Sequence, residues 1–359
     1  MSQKLLQRPK VFGNLFAEVV RRGLCVGCGA CVSVCPVASL SMVGDKPRLT
    51  GMCIACQMCY NNCPRSYFSE EEVEERIFGR RRGGEEETYL GVYRACYAAR
   101  SKDEEVLSRC QDGGAVTSIL MQLMRDDPGL CAVVASVDTG SDWLPRPVVA
   151  TSVDELLEGA GTKYTPSPTL LGLRSAVREY GRERVAVVGT PCQIRALRKM
   201  QTSPFSPLRL AESVELAIGL FCMETFDHGK LIEYLKGAGL DPSKITRFDI
   251  KKGRFMAFEG EELVFKVPLK KMADLVRSCC HSCTDFTSEF ADISVGSVGS
   301  PEGWSTVIVR TERGERALGK AVKAGVLEVK PLGEVKPGLK AVLKLAKGKR
   351  EKAEGSATA

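Results

Sequence analysis

Cys25-Val26-Gly27-Cys28-Gly29-Ala30-Cys31-Val32-Ser33-Val34-Cys35-Pro36 and Cys53-Ile54-Ala55-Cys56-Gln57-Met58-Cys59-Tyr60-Asn61-Asn62-Cys63-Pro64 repeat one spacing twice near the start of the chain. Three cysteines stand two residues apart, a fourth follows after three more, and proline closes each run. That spacing is the pattern of thiolates that hold 4Fe–4S cubes. Structural zinc can also use paired C-x2-C motifs, but it has no use for the third and fourth cysteine of each run. A disulfide framework fits less well: sixteen cysteines in 359 residues stay under the roughly 8% that marks small disulfide scaffolds, and no secretory segment accompanies them.

The doubled run resembles that of the bacterial two-cluster ferredoxins, in which the fourth cysteine of each run ligates the other cluster. The resemblance implies one cluster on Cys25, Cys28, Cys31 and Cys63, and a second on Cys53, Cys56, Cys59 and Cys35. Such a module moves single electrons.

Composition sets the frame around it. At 44% hydrophobic and 26% charged residues, the chain is long enough for a large core plus an accessory module. Leu5, Leu6, Phe12, Leu15, Phe16, Val19 and Val20 recur at helical spacing, but Lys4, Arg8, Lys10 and Glu18 break any signal-peptide core, so residues 1–20 read as a docking helix. No window reaches the roughly 18 apolar residues of a membrane span, and the expected location is the reducing cytoplasm. The net charge of +7 is concentrated from Lys336 onward, where seven Lys or Arg face Glu351 and Glu354. This distribution argues against nucleic acid as a partner. It makes residues 331–359 a basic tail, either solvated or, through Leu339, Val342, Leu343 and Leu345, applied to an acidic partner or the inner face of the cell membrane.

Residues 21–70 form the expected two-cluster module and residues 71–88, dense in Glu, Arg and Gly, a charged exposed linker. Residues 89–330 alternate short apolar runs with amphipathic ones. Strands are expected at 92–98, 131–137, 184–189, 214–221 and 292–295, helices at 115–125, 169–180, 193–200, 229–237 and 314–323, and a hairpin about Glu259-Gly260-Glu261. The predicted fold is a ferredoxin-like α+β module followed by a larger α/β domain with a mixed sheet.

Five blocks in that domain are similar to the family formed by the beta subunits of coenzyme F-420 hydrogenase and dehydrogenase. They are Gln111-Asp112-Gly113-Gly114-Ala115-Val116-Thr117, Gly161-Thr162-Lys163-Tyr164, Gly189-Thr190-Pro191-Cys192-Gln193, Gly219-Leu220-Phe221-Cys222, and Cys280-x2-Cys283-Thr284-Asp285 leading to Ser297-Val298-Gly299. The resemblance implies FAD, a further 4Fe–4S cluster and a deazaflavin substrate, coenzyme F-420. Gly113, Gly114, Thr117, Lys163, Tyr164, Ser297 and Gly299 become the expected FAD contacts, and Cys192, Cys222, Cys280 and Cys283 the third cluster's ligands, with Cys279 an alternative to Cys280.

The residues carry part of this reading unaided. A glycine pair before a helix lets backbone N–H groups approach a pyrophosphate, although it also serves as a tight turn. Cys192 and Cys222 follow strands at the sheet's carboxyl edge, where α/β proteins place ligands, but buried apolar cysteines are common too. His228 and His281 lack the partners of a catalytic base. Gly314-x4-Gly319-Lys320 imitates a phosphate loop, but Ala321 stands where the magnesium-binding hydroxyl belongs. No G-x-G-x-x-G follows a strand, which weakens a nicotinamide reading.

The layout with an amino-terminal ferredoxin module is similar to the electron-input subunit of archaeal F-420H2 dehydrogenases acting on quinone or methanophenazine. That implies hydride transfer from reduced coenzyme F-420 to FAD, then single electrons through three clusters to a partner complex, with no acid–base residue demanded. The alternatives are the reductase component of another F-420- or ferredoxin-linked enzyme and a non-catalytic electron-wiring subunit.

Overall fold

The computed structural model describes residues 9–137 and 142–357. Strands β1 (Leu40–Val43) and β2 (Lys46–Leu49) pair antiparallel within the cysteine-rich module. The large sheet comprises β3 (Ala95–Ser101), β4 (Leu130–Ser136), β5 (Arg146–Ala150), β6 (Arg184–Gly189), β7 (Val214–Leu220), β11 (Ile293–Gly296), β12 (Ser305–Val309) and β13 (Leu327–Pro331). A smaller antiparallel sheet holds β8 (Arg247–Lys251), β9 (Arg254–Glu259) and β10 (Glu262–Pro268).

The eight strands run in the order β13-β3-β12-β11-β7-β6-β4-β5. The centre, β11-β7-β6-β4, is parallel, and antiparallel strands flank it on both sides. This is the expected mixed sheet: parallel strands buried on both faces read as continuous apolar runs. Helices Ala115–Asp126 and Glu312–Lys323 cover one face through Ile119, Leu120, Leu318 and Ala321. Helices Thr169–Arg178 and Pro191–Thr202 cover the other through Leu170, Leu173, Ile194 and Leu197. The phosphate-loop imitation lies within helix Glu312–Lys323, where a Cβ on Gly314 would stand 2.3 Å from the Asp292 carbonyl oxygen, so packing explains that glycine.

The cysteine-rich module is not a bead on a string. Val26, Cys28, Ala30 and Val34 join the same core as the second helix layer, and the Leu170 N–H donates to the Cys28 carbonyl at 3.0 Å. Within the amino-terminal stretch, Phe12, Leu15 and Val19 pack against Val32, Leu40 and Cys59, so the expected docking helix docks on the chain's own module. Leu5 and Leu6 lie outside the described residues.

Two expectations are corrected. Residues 71–88 are mostly exposed, but they are not a free linker: helices Glu70–Phe78 and Gly84–Leu90 form there and bury Val73, Glu74 and Glu87. Arg82 sits between Glu74 at 2.5 Å and Glu289 at 2.7 Å, so the charges neutralise one another in a partly dry interface. The basic tail is likewise folded, as helix Leu339–Ala357, with Val342 and Ala346 buried against Leu90, Phe286 and Ile308.

Candidate functional site

Two hollows open in the amino-terminal module. One is lined by Cys25, Cys28, Cys31 and Cys63, with Leu15, Val19 and Met42 as apolar walls. The other is lined by Cys35, Cys53, Cys56 and Cys59. The membership is that of the ferredoxin crossover, and a short helix within each run, ahead of its fourth cysteine, produces it. Gly29 and Gln57, both left-handed at φ 81° and 67°, start the helices Ala30–Ser33 and Met58–Asn61, which turn each fourth cysteine towards the opposite hollow. Among the described residues no three His, Cys, Asp or Glu side chains group compactly enough to hold a single metal ion. A cubane instead spreads its thiolates around a larger volume.

Electrostatics order the sites. Burial pushes the Cys31 thiol far up, and Cys28, Cys63, Cys25 and then Cys59 act in the same direction, so the two hollows adjoin at Cys31 and Cys59. Burial likewise raises Cys28, with Cys63, Cys25 and Cys192 as its thiol neighbours. Cys192 packs against the same apolar cluster as Cys28, on the side of the larger domain. Burial and the neighbouring thiols of Cys283 and Cys280 push Cys192 up to about 11. Cys222 is also raised by burial, and its thiol neighbours are Cys192, Cys280 and Cys283. The structure thus brings the four expected thiols of the third set together.

Cys192 begins the helix after β6, with Thr190 Oγ1 3.3 Å from its sulfur. Cys222 follows β7 and donates its N–H to the Phe286 carbonyl at 2.9 Å. The Thr225 N–H points at the Cys280 sulfur at 3.5 Å. Cys279 is the more deeply buried neighbour, its thiol raised chiefly by its hydrogen bond to Cys280, which lowers Cys280. Of the two, Cys280 is the one that Thr225 contacts through both its N–H and its hydroxyl.

Two buried cations, not singled out by sequence reading, donate to carbonyls of these cysteines. Lys199 Nζ reaches the Cys63 carbonyl at 2.8 Å, and burial pushes it down to about 8. Lys349 Nζ reaches the Cys222 carbonyl at 2.6 Å. For Lys349 a signal existed: it lies on the stripe of Val342, Ala346 and Ala353, where a solvated lysine does not belong.

The expected FAD contacts divide. Gly113 is wedged between β3 and β12, where a Cβ would come within 2.3 Å of the Ala99 carbonyl oxygen and 2.5 Å of the Ser305 nitrogen. Gly114 caps helix Ala115–Asp126 at φ 67°. The fold itself requires both glycines, whatever the helix start binds. Gly113→Ala should therefore lower stability by roughly 1–3 kcal/mol through overpacking against immobile backbone, read as a lower denaturation midpoint. An unchanged midpoint would contradict the wedge.

Thr117 is buried in that helix's first turn. Lys163 donates to the carbonyls of Gly159 at 2.7 Å and Ala160 at 2.7 Å, and burial pushes it down to about 8. Tyr164 accepts from Gln111 Nε2 at 2.8 Å, and the same amide donates to Asp249 at 2.8 Å, leaving Gln111 Oε1 buried without a partner. Ser297 is exposed, and Gly299 at φ 105° lies beneath Val342 of the C-terminal helix. Gly113 and Gly299 share the start of β12, whereas Tyr164 meets Gln111 and Asp249 beside the small sheet and Lys163 turns to the carbonyls of its own loop.

Four-cysteine hollows set against a mixed α/β domain define an iron–sulfur electron-transfer protein. The chain belongs to the family of the coenzyme F420 hydrogenase/dehydrogenase beta subunit: the N-terminal model of that family matches residues 96–174 and its C-terminal model residues 182–335, while a 4Fe-4S binding domain matches residues 18–41. It is 43% identical to the coenzyme F420 hydrogenase subunit beta of Methanothermobacter thermautotrophicus over 74% of this chain and 94% of that protein. It is 33% identical to a subunit of the F(420)H(2) dehydrogenase of Methanosarcina mazei, over 93% of this chain and 92% of that one. A chain of the F420-reducing [NiFe] hydrogenase complex from Methanosarcina barkeri superposes with a TM-score of 0.71 at 39% identity, over 75% of this chain and 92% of that chain. Among the described residues no helix is long and apolar enough to cross a membrane.

Proposed function

We propose that this chain takes a hydride from reduced coenzyme F-420 onto FAD and delivers single electrons, through three 4Fe–4S clusters, to a partner protein complex. The observation that carries the reading is the pair of hollows lined by four cysteines each, continued through Cys28 to the thiols of Cys192, Cys222, Cys280 and Cys283. FAD supplies the conversion between two-electron and one-electron chemistry.

The residues of the chain hold, orient and shield. Cys192, Cys222, Cys280 and Cys283 hold the centre nearest the larger domain. The set with Cys63 is fully enclosed at Cys28 and Cys63, and the set with Cys35 reaches the surface at Cys53. Met52 at 85% and Ile54 at 54% exposure flank Cys53, so this rim is where electrons leave for the partner. Gln111 and Tyr164 mark the candidate flavin site, with the unpaired Gln111 oxygen available to a donor.

The test is an anaerobic assay of reduced coenzyme F-420, NADH and NADPH in parallel with viologen as acceptor; only the first should support turnover. Cluster-loaded protein should contain about 12 iron atoms, four per cubane. Iron near eight with flavin fully loaded would remove the third cluster. The packing of Gly113 and Gly114 favours one rival, an electron-wiring subunit without flavin, because the glycine motif then needs no ligand. Flavin content after anaerobic purification separates the two.

A further inference from the structure

Helix Leu339–Ala357 lies beyond residues 182–335, the last that match the family. It is held in place by Val342 and Ala346, both buried, and by Arg350, which bonds Glu289 at 3.0 and 3.1 Å. Between these anchors Lys349 is only 6% exposed. Its ammonium donates to two backbone carbonyls, Cys222 at 2.6 Å and Asp285 at 2.7 Å. Lysine is almost never buried to this degree unless paired. Two neutral carbonyls and one nearby carboxylate, that of Asp285, offset the lost hydration of a full positive charge only in part. An anionic centre on the adjacent thiolates would complete the compensation.

We propose that Lys349 is a positioning residue that sets the reduction potential of the cluster held by Cys192, Cys222, Cys280 and Cys283. The inference rests on the reading of those four cysteines as ligands. The step concerned moves one electron onto that cluster and neither forms nor breaks a bond. The cluster gains one negative charge, and a buried ammonium at fixed position favours that reduced state because little water intervenes to screen it. Cluster potentials respond to net charge, hydrogen bonds to the sulfurs and exposure, and Lys349, whose own bonds go to backbone carbonyls, acts through the first. The C-terminal helix thus makes the third site a better acceptor for electrons arriving from the flavin.

The experiment is an anaerobic redox titration of the full chain, followed by electron paramagnetic resonance, on wild type and on Lys349→Met, Lys349→Gln and Lys349→Arg. The neutral variants should shift the oxidised-to-reduced ratio of the third cluster at least tenfold towards oxidised at a fixed potential. For a one-electron couple that is about 59 mV lower. The amino-terminal clusters should be unmoved, and Lys349→Arg should stay near wild type. Loss of third-cluster iron from both neutral variants but not from Lys349→Arg would also support the proposal, since charge would then decide retention. An unchanged third midpoint in a fully loaded neutral variant would overturn it, as would loss of that cluster from all three variants, which marks a purely steric clamp. Iron for only two clusters in the wild type would instead overturn the ligand reading beneath it.

Discussion

Replacing Cys192 by alanine should leave reduction of bound flavin by coenzyme F-420 rapid while slowing, by orders of magnitude, the appearance of reduced signal from the Cys25 and Cys53 sites. Hydride transfer needs only positioned rings, and Cys192 belongs to no contact of Gln111, Lys163 or Tyr164. Onward passage does need it. Cys192 is the residue of the third set whose thiol bears on Cys28 of the first hollow, so its loss lengthens the gap that an electron must cross. Stopped-flow absorbance at the flavin band, paired with freeze-quench electron paramagnetic resonance, measures both halves. Normal filling of the amino-terminal sites in a folded variant would make Cys192 a packing cysteine and route the path elsewhere.

Asp292→Ala should cost roughly 3–5 kcal/mol, the range found when one partner of a buried ion pair is removed. Asp292 is fully buried at the entry to β11. It faces Arg198, also fully buried, at 3.0 Å, and accepts from the Ala217 N–H at 2.8 Å and the Thr311 hydroxyl at 2.8 Å. Alanine would strand the guanidinium, whose remaining partners are the Phe290 carbonyl and the Gln201 side chain. It would also free a backbone N–H of β7 in the middle of the sheet. Urea denaturation of cluster-loaded protein reads the loss, and Asp292→Asn should recover part of it by keeping the hydrogen bonds. A midpoint for Asp292→Ala within error of wild type would mean that the pair contributes no net stability.

The central sheet was legible because β4, β6 and β7 are uninterrupted apolar runs followed by amphipathic helices, and period alone separates the two. The edge strands β5 and β13 were not: Arg146-Pro147 and Lys330-Pro331 look like loop, since prolines sit only where a ladder has an open side. β12 was passed over although Ser305–Val309 is wholly buried. The hairpin at Gly260 is present, with β8 as an unforeseen third strand. Charge density misled twice, at Glu74 and Arg82 and again in the C-terminal helix, because composition cannot show that opposite charges distant in sequence meet inside. The eight ferredoxin cysteines were readable because local spacing dictates their geometry. Gln111 and Asp249 act through contacts between remote segments, which no window of sequence contains.

The join between the cysteine-rich module and the larger domain is made at backbone carbonyls, most of them held by side-chain donors. Leu170 N–H meets the Cys28 carbonyl, Ser33 Oγ meets the Leu170 carbonyl at 2.7 Å, Arg277 holds the Val26 carbonyl at 3.0 Å, and Lys199 holds that of Cys63. Ligand-bearing loops on both sides are therefore pinned to one another rather than tethered. A hop across this join has no swinging arm to wait for. Thickening the medium with glycerol, which retards carriers that must shuttle between docking positions, leaves such a crossing at its dry rate, and any viscosity dependence in the whole chain then belongs to substrate arrival or partner encounter.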